Sequence, residues 1–205
     1  MKIKYYALWL SAICVIVFVL QLLIPSFTDT FILDSSKIAE VWRFVSAIFL
    51  HGGTGHLIAN LFALALFGTI LEGFIGSRKF LYVFFASGIF ANLVAVWFYP
   101  SSLGASGAIY GILGALVIIR PMMTVWVSGI PMPMMFAGIV WIGGSILGLF
   151  YPSSTGHIAH LSGIALGRVF GFLWRDWSRK VERMESLRLN EDYMRKWEDY
   201  HMRRR

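Results

Sequence analysis

The sequence predicts an all-α membrane protein: six transmembrane helices, a long, partly embedded first loop and both termini in the cytoplasm. Three observations carry this. Of 205 residues, 58% are hydrophobic and only 14% are Asp, Glu, Lys or Arg, against about 25% charged in an ordinary soluble domain. Residues 175–205 hold ten Lys/Arg and seven Asp/Glu, leaving eight and four for residues 1–174. The apolar residues also gather into runs matching a hydrocarbon core about 30 Å thick, which takes about 20 helical residues. A soluble globular protein and a disordered chain are excluded, and the lone Cys14 excludes an intrachain disulfide. The chain divides into a core, 1–174, and a charged cytoplasmic tail, 175–205. A net charge of +7 could suggest nucleic acid. The basic residues, however, stand at the ends of apolar runs and in the tail, where they set membrane orientation, and no nucleic-acid partner is expected.

The first run, 5–24, follows Lys2 and Lys4. It is long for a signal peptide and lacks an A-x-A cleavage site, so it reads as a retained helix. Residues 25–56 exceed the usual loop length. They are rich in Phe, Ile and Val and include Trp42, so short amphipathic helices in the outer interface are expected. The second run is 57–75 and the third 80–99, with Arg78 and Lys79 before it. The fourth, 106–119, stops at Arg120-Pro121; the fifth is 133–151 and the sixth 157–174. With the N-terminus inside, the cytoplasmic face collects Lys2, Lys4, Arg78, Lys79, Arg120 and the ten tail residues, fifteen against Lys37 and Arg43. Arg168 lies within the sixth run, and the connections 100–105 and 152–156 are uncharged. A multi-pass protein of the cell membrane is expected. The fourth run gives only about 21 Å of helix, so residues 100–105 should dip below the outer surface beside a polar cavity, open on the non-cytoplasmic side.

Polar groups within a membrane are candidates for function. His56 and Asn60 open helix two, Ser106 opens helix four, and His157 and His160 open helix six. Ser106, Gly107, Tyr110, Gly111 and Gly114 share one side of helix four. His160, Gly163, Gly167 and Gly171 form one stripe, the small-residue spacing that lets helix backbones approach closely. If these stripes pack, His160 faces Ser106, a nucleophile with its base. The Ser106 N–H at a helix start, with His56 and Asn60, could stabilise an oxyanion. Asp29, Asp34 and Glu40 lie in the long loop and Glu72 near the inner end of helix two, so a dyad is expected, with His160 packed on Tyr110. His157 reads as a solvated helix-mouth residue. Met122, Met123, Met132, Met134 and Met135 read as interfacial loop and packing, and Gly143, Gly144 and Gly148 as a thin or mobile helix. The tail, with Trp174, Trp177 and Trp197, reads as a surface helix at the cytoplasmic interface.

Taken together, these residues resemble the rhomboid intramembrane serine proteases over about residues 5–174. Trp42-Arg43 matches their W-R pair. His51, His56 and Asn60 match H-x4-H-x3-N. Gly104-Ala105-Ser106-Gly107, followed by Tyr110, matches G-x-S-G, and Ala159-His160-x2-Gly163-x3-Gly167 matches A-H-x2-G-x3-G. The resemblance implies a six-helix rhomboid bundle with Ser106 as nucleophile and His160 as base and then acid. His56, Asn60 and the Ser106 N–H would form the oxyanion hole. Arg43 and Glu72 would be structural, and His51 would brace the loop. It implies no metal and no cofactor, and single-span transmembrane proteins as substrates, cut within or next to their helix in the lipid bilayer. An inactive rhomboid-like adaptor or chaperone is the alternative, but such relatives lack the Ser or His that both stand here. A metal or proton transporter using His51, His56, His157 and His160 is a further alternative; the zinc-protease H-E-x-x-H pattern and a transporter-like repeat are both absent.

Overall fold

Between its end turns a helix satisfies its backbone N–H and C=O groups within itself, which lipid demands of anything that crosses it. The computed structural model describes residues 3–151 and 155–202 and is accordingly mostly helical. Helix α1 is Tyr6–Leu23. The first loop holds α2 (Phe27–Phe31), strand β1 (Leu33–Asp34) and α3 (Arg43–Ser46). Helices α4 (Thr54–Ala63) and α5 (Thr69–Ile75) join through a wider turn at 64–68 into one length, Thr54–Ile75. Then follow α6 (Ser77–Ala95), β2 (Ser101–Ser102), α7 (Ser106–Ile119), β3 (Thr124–Val127), β4 (Ile130–Pro133), α8 (Met134–Gly148) and α9 (His157–Met202). Among the described residues, three lengths can cross a membrane by size and hydropathy: Tyr6–Leu23, Thr54–Ile75 and Ser77–Ala95; α7 and α8 are shorter apolar helices. The outer surface carries Trp9 at 66%, Phe62 at 68% and Leu173 at 67% exposure. Apolar surface on that scale is what lipid, not water, solvates. The chain is an integral membrane protein.

Helix α7 is the centre, burying ten of its fourteen residues. It meets α9 through glycines. A Cβ on Gly163 would collide with the Gly107 carbonyl oxygen, and one on Gly167 with that of Gly111. The two backbones therefore touch directly, which only glycine permits. Helix α1 packs one narrow stripe, Ala7, Leu10 and Cys14. Its start is tied down by Glu72, fully buried, which accepts from Tyr6 N and Ala7 N at 3.1 Å and from Ser77 Oγ at 2.6 Å. The carboxylate thus serves N–H groups that a helix start leaves without intrahelical partners.

The first loop is organised around Arg43, 4% exposed. Its guanidinium donates to Glu40 Oε2 at 2.7 Å and to the carbonyls of Asp29 and Ile32 at 2.8 and 2.7 Å. Asn92 of α6 donates to Phe44 O, and Gln21 of α1 exchanges two hydrogen bonds with the His51 backbone. Strand β1 pairs antiparallel with β2, Leu33 opposite Ser102, which stitches the loop to residues 100–105. Asp34, accepting from Ser36 Oγ and N, has its carboxyl held below the usual carboxylate range.

Three features differ from the sequence reading. Residues 121–133, read as a loop, contain the β3–β4 hairpin, turned by Ser128 and Gly129 at φ 50° and 84°. Two positive φ angles suit a two-residue hairpin turn, and the short alternation in Thr124–Val127 was hidden beside the methionines. The third helix begins at Ser77 and ends at Ala95 rather than spanning 80–99. The last helix starts at His157 but continues unbroken through the charged segment to Met202. The connection 152–156, Lys2 and residues 203–205, used above for orientation, lie partly or wholly outside the described residues.

Candidate active site

Ser106 is the first residue of α7, reached by a sharp approach through Gly104. Its backbone N–H belongs to the first turn and has no intrahelical acceptor. Opposite it, the Gly107–Gly163 contact brings α9 close enough for His160 Nε2 to lie 2.9 Å from Ser106 Oγ. The His160 ring stacks on Tyr110, centroids 4.1 Å apart and planes 10° from parallel. Tyr110 is one turn along α7 from Ser106, so a single helix presents both the hydroxyl and the surface that orients its imidazole. His160 is 8% exposed, and its Nδ1 meets no hydrogen-bond partner among the described residues. With Nε2 as acceptor, Nδ1 carries the proton of the neutral ring.

His56 stands across the cavity on α4. Gly52 N–H points at its Nδ1 at 3.4 Å, which leaves Nε2 as the donor. Gly104 decides where that ring can be. Its φ of 120° suits glycine, and a Cβ there would sit 2.8 Å from His56 Cε1 and 2.9 Å from Nε2. Asn60 is one turn further down α4, and one of its two amide protons goes to His56 O at 2.8 Å. The other remains for a ligand. His51 packs edge-on to His56, ring centroids 5.2 Å apart, with Nδ1 3.1 Å from Phe49 O. It braces the neighbour rather than lining the cavity. That cavity, about 820 Å³, is lined by His56, Asn60, Ser106, Tyr110, His160 and the 99–104 segment.

Of the residues singled out from sequence, Ser106, His160, His56, Asn60, Tyr110 and Gly104 come to one cavity. Gly163 and Gly167 lie below it in the seam and His51 beside it. His157 departs from its reading. It is half-buried, its ring lies against Gly148 of α8, and it stands edge-on to His160 at 6.1 Å. Two further residues, Tyr99 and Ala47, gave no sequence signal. The Tyr99 hydroxyl accepts from Ile158 N at 3.1 Å, capping the start of α9. Gly104 N donates to Ala47 O at 2.8 Å, anchoring the approach to Ser106 on the first loop. No group of three or more His, Cys, Asp or Glu that could hold a metal occurs among the described residues.

The Rhomboid domain family matches residues 39–177, more than half of the chain. Rhomboid protease GluP of Bacillus subtilis is 44% identical over 89 residues, 42% of this chain and 18% of that protein. Rhomboid protease GlpG of Haemophilus influenzae is 27% identical over 171 residues, 80% of this chain and 88% of that protein. Rhomboid-like protein 11, chloroplastic, of Arabidopsis thaliana is 33% identical over 145 residues, 64% and 52% of the two chains. The chain thus spans less than a fifth of GluP and about half of the plant protein. It belongs to the rhomboid family.

Proposed function

We propose that this member of the rhomboid family is an intramembrane serine endopeptidase working through a Ser106–His160 dyad. The observation that carries the reading is the 2.9 Å approach of His160 Nε2 to Ser106 Oγ at the wall of a cavity that His56 and Asn60 also line. Hydrogen-bond reach between a hydroxyl and a base is the signature of an activated nucleophile. His160 takes the Oγ proton as Oγ attacks the scissile carbonyl carbon. The developing oxyanion is met by Ser106 N–H, His56 Nε2–H and the remaining Asn60 amide proton. His160 then gives its proton to the leaving nitrogen as the C–N bond breaks. A water deprotonated by His160 hydrolyses the acyl-enzyme and restores Ser106. With no carboxylate at Nδ1 among the described residues, the Tyr110 stack holds the imidazole plane.

Six spans complete the reading. Helices α1, α4–α5, α6, α7, α8 and the first part of α9 cross the bilayer, with the first loop partly embedded and both termini cytoplasmic. Residues 1–174 form the catalytic core and 175–205 a cytoplasmic tail. The active site opens to the non-cytoplasmic side of the cell membrane, where hydrolytic water is available. Substrates are single-span transmembrane proteins cut within or near their membrane helix.

The test is cleavage of a single-span model protein in proteoliposomes by the native chain and by Ser106→Ala. Cleavage that persists in the variant would overturn the assignment.

A further inference from the structure

Arg168 has no part in this chemistry and is oddly placed. It lies eight residues past His160 in an apolar stretch of α9, yet it is exposed, among exposed Val169, Phe172 and Leu173. Its side chain has no hydrogen bond or ion pair among the described residues. Its depth is set by α7, because a Cβ on Gly114 would lie 3.1 Å from Arg168 N. Gly114 stands six residues before Arg120, so Arg168 lies about 9 Å from the Arg120 end of α7. A long guanidinium side chain can cover most of that distance by snorkelling.

Arg168 is not alone on its face. At 100° per residue Phe172, Arg175 and Arg179 fall within about 60° of one sector with it, a stripe about 16 Å long. The Arg175 and Arg179 side chains are 43% and 63% exposed. Among the described residues the acid beside them is Asp176, at 4.0 Å from Arg175 Nε and 3.8 Å from Arg179 Nη1, and it is itself 87% exposed, so it does little to neutralise them. The neighbouring Lys79 is turned elsewhere, its Nζ 3.4 Å from the Trp177 ring centroid. Three cations thus descend one side of α9, Arg168 and Arg179 exposed and Arg175 half-buried, with the exposed Phe172 ring between the first and second.

We infer that the Arg168–Arg175–Arg179 stripe binds the phosphate headgroup of an anionic phospholipid, its acyl chains lying against Phe172 and Val169. Guanidinium groups match phosphate oxygens in pairs, and juxtamembrane basic residues attract anionic lipid from the surrounding leaflet. That this is the cytoplasmic leaflet rests on the topology proposed above; the binding itself does not.

The test uses the full chain purified from vesicles of equimolar phosphatidylglycerol and phosphatidylcholine, with retained lipid counted by native mass spectrometry. The native chain should retain phosphatidylglycerol in preference to phosphatidylcholine. The triple variant R168Q/R175Q/R179Q should lose that retention by about tenfold or more, while Lys180→Gln, on another face, should keep it. Arg168→Leu guards against a folding artefact, since it suits the apolar span and should melt no lower than native while still binding less phosphatidylglycerol. Equal retention by native and triple variant, or no preference over phosphatidylcholine, would overturn the site. Complete displacement by inorganic phosphate would make it a free-phosphate site and overturn the lipid assignment. The readout needs no proteolysis, so failure of Ser106 to take a serine-directed probe would bear on the protease reading alone.

Discussion

Helices α7 and α8 are similar in length and greasiness, and they are held in opposite ways. Helix α7 buries ten of fourteen residues and meets α9 backbone to backbone. Helix α8 buries only Met134, Ala137, Gly138 and Ser145 of its fifteen. Both are rich in glycine, but the glycines do different work. Those at 107, 111, 163 and 167 are contact surfaces, where an added Cβ meets α7 backbone at Gly163 and Gly167 and the Ala91 and Ser87 side chains of α6 at Gly107 and Gly111, whereas around Gly143 and Gly144 no atom lies within 4 Å of an added Cβ. A glycine in a membrane helix is thus a packing device only where a partner helix comes close to it. The rigid seam is the one that carries Ser106 and His160.

The sharpest way to break this contrast is to remove chemistry from the seam without touching its packing. Ser106→Ala and His160→Ala should each lower cleavage at least about 10⁴-fold, with the thermal melt unchanged; a melt that collapses would mean the pair holds the fold instead. Asn60→Ala removes the amide proposed above as an oxyanion donor across the cavity. It should lower kcat by about 10²–10³-fold with KM little changed, and an unaltered kcat would take Asn60 out of the hole. Gly167→Ala tests the seam directly. The new methyl meets the Gly111 backbone, so the helices must part at a cost of about 3 kcal/mol. Displacing His160 from Ser106 should add a loss of about 10²-fold in kcat; a native-like melt would show the seam to be slack. Gly143→Ala is the smallest effect and the control. With space around it and a better helix former in place, α8 should gain about 0.5–1 kcal/mol, with cleavage within about twofold of native. A fall in both would show that α8 packs closely against a neighbour through Gly143.

The nearness of Ser106 and His160 is readable because two regular spacings meet. The three- and four-residue steps of His160, Gly163, Gly167 and Gly171 and the matching side of α7 lie on local helical geometry, which survives in sequence. Gly104 shows where such reading stops. Its motif position is visible, but its use, clearing space for the His56 ring, depends on α4 standing across from it. Gln21 is similar. Nothing around it in the chain announces that it will exchange hydrogen bonds with His51, thirty residues away. The same holds for the Tyr99 hydroxyl at the start of α9 and for His157, whose surroundings are set by Gly148 of another helix.

The sequence by itself determined that the chain lives in a membrane, roughly where its helices lie and which family it belongs to. Hydropathy, helical period and short motifs act over one or two turns and need no partner to be recognised. Only the tertiary structure decided what each polar group inside the apolar body touches. Glu72 meets the start of α1, Arg43 meets three points of the first loop, and Arg168 is left bare on the outer face of α9. In lipid a backbone can satisfy itself locally, but a buried charge such as Glu72 takes its partners from other elements. Which elements those are depends on how all the helices pack together.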